Sequence, residues 1–101
     1  MKGGVDINQI FRMAQQAQEK MEKEMETARV EASTGGGMVR VEMNGKKELL
    51  SLKIDPEIVK AEEIDSLQDL VLSAVNDASQ QVDKLLSDKL GSMKSGLPGL
   101  F

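Results

Sequence analysis

The chain has 101 residues, a net charge of −4, 40% hydrophobic residues and 30% charged residues. These values fit one globular domain over 1–101. The absence of cysteine excludes disulfides and thiolate sites, the absence of an apolar run near ~18 residues predicts no membrane span, and the lack of a secretion signal favours a cytoplasmic protein.

The first predicted element is a long amphipathic helix over Ile7–Ala28. Asp6 precedes it and is a favourable N-cap, because its carboxylate accepts hydrogen bonds from free backbone N–H groups. Apolar residues recur at helical spacing and form one stripe, namely Ile7, Ile10, Phe11, Ala14, Ala17, Met21, Met25 and Ala28. Four polar residues on the far side fall within about 80° of one another. We call them the cationic line, and they are Arg12, Gln16, Lys20 and Lys23.

A short strand is predicted next, over 29–33. The glycine run Gly35–Gly37 follows and favours a turn, because glycine adopts backbone angles that other residues avoid. After it, Val39, Val41 and Met43 alternate with polar residues. This two-residue period is typical of a half-buried strand.

The second strand is predicted to turn back into a third. The pair Asn44-Gly45 tolerates the positive φ angles of a type I′ turn. Beyond it, Leu50, Leu52 and Ile54 resume the alternation, which places Leu49 on the opposite face of the strand. The three segments together predict a small antiparallel sheet.

The chain is predicted to close with a second long helix over Glu63–Leu90. Pro56 ends the third strand, because proline cannot continue a β-ladder, and begins a short helical turn. Gly91 is the expected C-terminal stop of the helix, and residues 92–101 are expected to form a loose tail. The predicted fold class is therefore α+β, with a helix, a three-stranded antiparallel sheet and a helix.

The helix lengths favour a homodimer. Helices of ~22 and ~28 residues are about 33 and 42 Å long, whereas a compact domain of this size has a radius of gyration near ~13 Å. A small sheet cannot cover both apolar stripes, so their outer parts must pack on each other, project into solvent or meet a second subunit. Candidate interface residues lie on the hairpin, at Val39, Val41, Leu49, Leu50 and Leu52. The alternative is a monomer in which Leu49 is simply exposed.

The sequence offers little chemistry. It contains no histidine, cysteine, tryptophan or tyrosine. Adjacent carboxylates such as Glu62 and Glu63 do not face each other on a helix, and no acidic loop has the spacing of a calcium site. We therefore predict no catalytic residue, no metal site, no cofactor and no small-molecule substrate.

Charge is unevenly distributed along the chain. Residues 1–54 carry 9 basic and 8 acidic side chains, a balance of +1, whereas residues 55–101 carry 4 basic and 9 acidic side chains, a balance of −5. The charge balance therefore predicts the N-terminal half as the one face suited to a polyanion.

Four segments of the chain form a specific combination. They are Gly-Gly-Gly-Met-Val-Arg-Val-Glu-Met-Asn-Gly at 35–45, Leu-Lys-Ile-Asp-Pro-Glu at 52–57, Leu-Ser-Ala-Val-Asn-Asp-Ala at 72–78 and Leu-Pro-Gly-Leu-Phe at 97–101. In this order they resemble the YbaB/EbfC family of bacterial nucleoid-associated proteins. The resemblance implies a tweezers-like homodimer located in the cytoplasm and nucleoid. It also implies duplex DNA binding with low sequence specificity, effects on nucleoid organisation and gene expression, and no catalysis or cofactor.

Within that family the two long helices are implied to contact DNA. The candidate DNA-binding residues here are the cationic line on the first helix and Lys84 and Lys89 on the second. Both lysines of the cationic line have a glutamate four residues away, Glu19 or Glu24, so pairing within a solvated helix face is the alternative. The alternative function is a dimeric protein-interaction module whose acidic last helix and apolar tail bind a partner.

Overall fold

The computed structural model describes residues 6–95, with side chains as far as residue 92. Its elements in chain order are helix α1 (Ile7–Thr27), strands β1 (Arg29–Thr34), β2 (Val39–Asn44) and β3 (Leu49–Ile54), 3-10 turns at Pro56–Ile58 and Ala61–Glu63, and helix α2 (Ile64–Ser95). The predicted α+β architecture is confirmed. The short helical turn expected after Pro56 is confirmed as well.

The core lies between the sheet and α2. The strands are ordered β1-β2-β3 and both pairs are antiparallel. The apolar face of the central strand packs against small and β-branched residues of α2, which allow the helix to approach closely. The buried residues of this core are Ala32, Val39, Val41, Met43, Ala74, Ala78 and Val82.

The glycine run makes the connection from β1 to β2. Gly35, Gly36 and Gly37 have φ values of 62°, 68° and 92°. These left-handed conformations favour glycine over residues with a side chain. The expected turn at this place is confirmed.

The turn from β2 to β3 differs from the predicted type I′ turn. Gly45 does not have a positive φ, and the left-handed residue is instead Lys47, with φ 63°. The Asn44 N–H donates to the Glu48 carbonyl at 3.1 Å, and the Asn44 side-chain oxygen accepts from the N–H groups of Lys46 and Glu48. The loop therefore has three residues closed by a buried asparagine, and the predicted two-residue turn is wrong.

A contact with α1 explains why residue 45 is glycine. The Gly45 N–H donates to the Met25 carbonyl at 2.7 Å. A Cβ at residue 45 would lie 2.6 Å from that carbonyl oxygen. The hairpin loop thus attaches the end of α1 to the sheet, at the one buried residue of that helix.

A β-bulge changes the register of the third strand. Leu52 lies opposite Val41 and Leu49 lies opposite Met43, with a register shift between Glu42 and Met43. Cross-strand partners share a face of the sheet. Leu49 and Leu52 therefore lie on the face that α2 covers over β1 and β2. The simple alternation places Leu49 on the opposite face from Leu52, and that prediction is wrong.

The C-terminal ends of both α-helices differ from their predicted positions. Helix α1 ends one residue early, and Ala28 is its C-cap. Helix α2 continues through Gly91 to Ser95, so the predicted stop at Gly91 is wrong. A glycine within a helix costs only about 1 kcal/mol, which its helix-forming neighbours offset. The remainder of the predicted tail lies outside the described residues.

The molecule is elongated, with principal extents of 75 × 23 × 16 Å and a radius of gyration of 20.3 Å, against about 13 Å for a compact domain of this length. Helix α1 projects from the sheet, and Met25 is therefore its one buried residue. The C-terminal part of α2 extends alongside it, with Lys89 beside Glu24. In residues 6–95 no helix is long and apolar enough to span a bilayer.

Candidate nucleic-acid interface

Helix α1 begins at a side-chain cap. The Asp6 carboxylate accepts hydrogen bonds from the N–H groups of Asn8 and Gln9 at 3.0 and 3.4 Å. This bond pattern satisfies two of the backbone groups that a helix start leaves free. The predicted N-cap is confirmed.

The cationic line is exposed along its whole length. Helical rise separates Arg12 from Lys23 by about 16 Å, the length of about five base-pair steps of duplex DNA. In the described part of the chain neither lysine of the line pairs with Glu19 or Glu24. The alternative of intrahelical ion pairs is therefore not the arrangement that the structure shows.

Glu24 instead pairs with α2. Its carboxylate lies 3.2 Å from the Lys89 ammonium, with both side chains partly exposed. An exposed pair of this kind stabilises the fold by about 0–1 kcal/mol. Lys89 must leave this partner or share it before it neutralises a phosphate, so the structure separates it from the freely exposed cations of α1.

The other basic residue predicted on α2, Lys84, is exposed on a helix that also carries Asp77, Asp83 and Asp88. Asp83 is paired at 2.8 Å with Lys47 from the hairpin loop. The structure does not bring Lys84 and Lys89 onto one face, because five residues correspond to about 140° of helical rotation. The basic surface of α2 is thus discontinuous, unlike that of α1.

An apolar cleft lies between the two helices where they leave the sheet. It is lined partly by Ala17, Met21 and Leu90. Beyond it the apolar stripe of α1 has no cover, with Phe11 67% exposed. The helix lengths left three options for the outer part of each apolar stripe. Within one protomer, the described part of α1 projects into solvent.

Three leucines of β3 are left exposed, and we call them together the leucine surface. Two of them, Leu49 and Leu52, share the face that α2 covers over β1 and β2. Leu49, Leu50 and Leu52 are each 44% exposed. Val39 and Val41, also proposed at the interface from sequence, are 0% and 3% exposed. Their side chains are buried in the protomer's own core and are not available to a second copy. The sequence could not separate the two groups, because it does not show that α2 covers β2 and leaves β3 uncovered.

The outer face of the sheet, turned away from α2, is a feature that the sequence interpretation missed. Two rows of polar side chains run across its strands. The cationic row is Ser33, Arg40 and Lys53, and the acidic row is Glu31, Glu42 and Ser51. Together they line one shallow depression, which we call the charged face. The sequence does show the polar residues that alternate along each strand. Their arrangement in two rows becomes visible only when the register of the strands is known.

The described residues hold no cluster of three or more acidic, histidine or cysteine side chains suited to a metal ion. The cavities found among them are open clefts lined by the residues already named and their neighbours. The arrangement is suited to binding along a surface.

Comparison with known proteins agrees with this arrangement. The model of the YbaB/EbfC DNA-binding family matches residues 1–97. The chain is 46% identical over 99 residues to a nucleoid-associated protein of Koribacter versatilis, covering 96% of this chain and 98% of that protein. It is 42% identical over 104 residues to a nucleoid-associated protein of Thermoanaerobacter pseudethanolicus, covering 98% and 94%. The crystal structure of an uncharacterized protein from Helicobacter pylori is similar in fold, with a TM-score of 0.69, 26% identity, and coverage of 83% of this chain and 98% of that one.

Proposed function

The chain belongs to the YbaB/EbfC DNA-binding family, and on that basis we propose that it binds duplex DNA as a homodimer with little sequence preference. This family is a DNA-binding family and not an enzyme family. Curated relatives carry the name nucleoid-associated protein. We accordingly propose the bacterial nucleoid, within the cytoplasm, as its place of action, with effects on nucleoid organisation and gene expression following from binding.

The observation that carries the proposal is the exposed cationic line on a projecting helix. Lysine and arginine side chains that neutralise phosphates release condensed counterions, which gives affinity without sequence selection. Arg12, Lys20 and Lys23 are free of ion pairs within residues 6–95, so no protein contact must break before they meet a phosphate. Phosphate contacts position a protein on DNA but do not read its bases, which accounts for the low specificity.

The leucine surface supports the homodimer. Exposed apolar side chains grouped on one surface are characteristic of protein interfaces. These leucines flank the core that α2 covers, so a second copy seated there would extend that core. Two copies would present two cationic lines, and the second contact with one duplex would gain from the first through raised effective concentration.

A protein-interaction module is the second candidate function. The apolar cleft at Met21 and Leu90 and the uncovered stripe at Phe11 favour it. The two functions differ in their response to salt. Phosphate contacts weaken steeply as salt rises, whereas apolar docking does not.

The test is a fluorescence anisotropy titration with several unrelated duplexes of equal length at low salt. We expect all of them to bind with similar affinity. The variant Lys20→Glu/Lys23→Glu should bind at least about tenfold more weakly, since a dimer loses four phosphate contacts. Its mass in solution should not change.

The matched control is Lys46→Glu/Lys60→Glu, which changes the net charge equally at exposed positions off α1. It should retain most of the affinity. Equal losses in the two variants would show that total charge matters and the cationic line does not. An absence of binding by the native protein, even at low salt, would refute DNA binding and leave the protein-interaction module.

A further inference from the structure

The charged face has an arrangement that is unfavourable in an isolated protomer. Arg40 lies directly opposite Lys53, and Glu31 lies directly opposite Glu42. Like charges at directly opposed positions of neighbouring strands destabilise a sheet. One charge is relieved locally, because Glu42 lies 3.6 Å from Arg29. In the described part of the chain the other three have no ion-pair partner.

The same arrangement is self-complementary. The cationic and acidic rows are parallel and two residues apart along each strand, which is about 7 Å. Consider a two-fold axis that lies in the plane of the face, runs perpendicular to the strands and passes between the two rows. Rotation about this axis places the cationic row of one copy on the acidic row of the other. Arg40 then faces Glu42 of the second copy, and Lys53 faces its Ser51. An axis along the strands would instead place like charge on like charge.

We propose that the charged face binds the charged face of a second copy, related by this two-fold axis. Interfaces between identical copies are commonly two-fold and self-complementary. A nucleic acid fits the face less well, because the acidic row lies beside the cationic row and repels a polyanion. The contact is distinct from the leucine surface, since Leu52 lies opposite the buried Val41 on the other side of the sheet.

The size of the face sets the strength of the contact. Three strands about 4.8 Å apart and six residues long cover about 300 Å² per copy. The total is below the about 1,200 Å² at which stable specific interfaces begin. The contact is therefore weak and salt-sensitive in solution, and it gains strength when copies are already held close together.

This feature extends the proposed function, on which its biological consequence rests. A dimer formed through the leucine surface keeps two charged faces free. Dimers seated on one duplex would then associate further through these faces, which makes coverage of the duplex cooperative. The association itself requires no DNA and is testable without it.

The experiment is sedimentation velocity on the full chain without DNA, at high protein concentration and low salt. We expect the native protein to show a concentration-dependent doubling of its basic unit. Raising the salt from 0.1 to 1 M shortens the screening length from about 10 to about 3 Å and should abolish the doubling. The variants Arg40→Glu/Lys53→Glu and Glu31→Lys/Glu42→Lys should each fail to double alone. Mixed in equal amounts they should associate, because one face is then wholly acidic and the other wholly basic.

The control again is Lys46→Glu/Lys60→Glu, which should double like the native protein and should not associate with the second variant. Circular dichroism shows whether each variant is folded. Failure of the native protein to double, or of the mixture to associate, would overturn the proposal. A control that associates equally well with the second variant would also overturn it. If the native protein doubles from monomer to dimer and the charge variants abolish that doubling, the charged-face contact is supported. The same result would refute the leucine surface as a dimer interface.

Discussion

Replacing Gly45 with alanine tests the joint between α1 and the sheet. The added Cβ would lie 2.6 Å from the Met25 carbonyl oxygen, 2.8 Å from its Cα and 2.9 Å from its sulfur. Two of these three atoms belong to the backbone of α1, so relief requires the helix to move and not merely a side chain. The 2.7 Å hydrogen bond from the Gly45 N–H to the same carbonyl would be strained as well.

The expected cost follows from these two effects. Overpacking costs about 1–3 kcal/mol and the loss of the hydrogen bond about 0.5–1.5 kcal/mol, giving about 2–4 kcal/mol together. With a urea slope of about 2 kcal/mol/M, the unfolding midpoint should fall by about 1–2 M. Because the sheet holds α1 at this joint, duplex binding through the cationic line should weaken too.

Gly91 is the matched control for this change. It lies inside α2, and a Cβ added there would have nothing within 4 Å. Gly91→Ala should stabilise the protein by about 0.4–1 kcal/mol, because alanine is the better helix former. Urea unfolding followed by circular dichroism, at one protein concentration, compares both variants with the native chain. Equal midpoints for Gly45→Ala and the native protein would refute the inferred role of the joint.

Three further outcomes follow from the structure. Leu52→Asp should convert the proposed dimer to a monomer, measured by light scattering, while Val59→Asp, also exposed but outside the leucine surface, should not. Lys89→Gln should weaken duplex binding less than Lys20→Gln in anisotropy titrations, because an ion pair already holds Lys89. Asn44→Ala should lower the free energy of unfolding by about 1–3 kcal/mol, because its buried side chain accepts two backbone hydrogen bonds in the hairpin loop.

For each of these three predictions, one experimental result would contradict it. An unchanged mass for Leu52→Asp would remove the leucine surface from the dimer interface. Equal losses of affinity for Lys89→Gln and Lys20→Gln would show that the pair with Glu24 does not restrain Lys89. An unchanged midpoint for Asn44→Ala would show that backbone bonds alone hold the loop.

The architecture was predictable because local patterns determine it. The helical stripe of α1, the alternation in β2 and the cap at Asp6 each depend on residues close in sequence. Patterns of this kind predicted both α-helices and all three strands of the described range, but not the 3-10 turn at Ala61–Glu63. The start of α1 at Ile7 was also predicted correctly.

The errors arise where distant residues decide the structure. The Asn44-Gly45 pair resembles a type I′ turn locally, but Gly45 is required by its contact with Met25, twenty positions earlier. The bulge that moves Leu49 to the covered face depends on the pairing of β2 with β3. Gly91 is an exception to this rule, since α2 passes through it and the reason is local: the helix-forming residues beside it offset the cost of one glycine.

The candidate site was predictable in part for the same reason. Helical periodicity alone places the cationic line on one face of α1. It does not show that Glu24 turns to Lys89, since that pair joins residues 65 positions apart. The charged face likewise emerges only from the strand register. The assignment of DNA contacts to the cationic line remains a prediction.

The most direct test of that assignment is the salt dependence of duplex binding. Three cations per chain and two chains in the proposed dimer give up to six phosphate contacts, so the logarithm of the affinity should fall with the logarithm of salt at a slope of about −5. For Lys20→Gln/Lys23→Gln, which removes four of those contacts, the slope should be about −2. A native slope near zero, or an unchanged slope in the variant, would contradict the account.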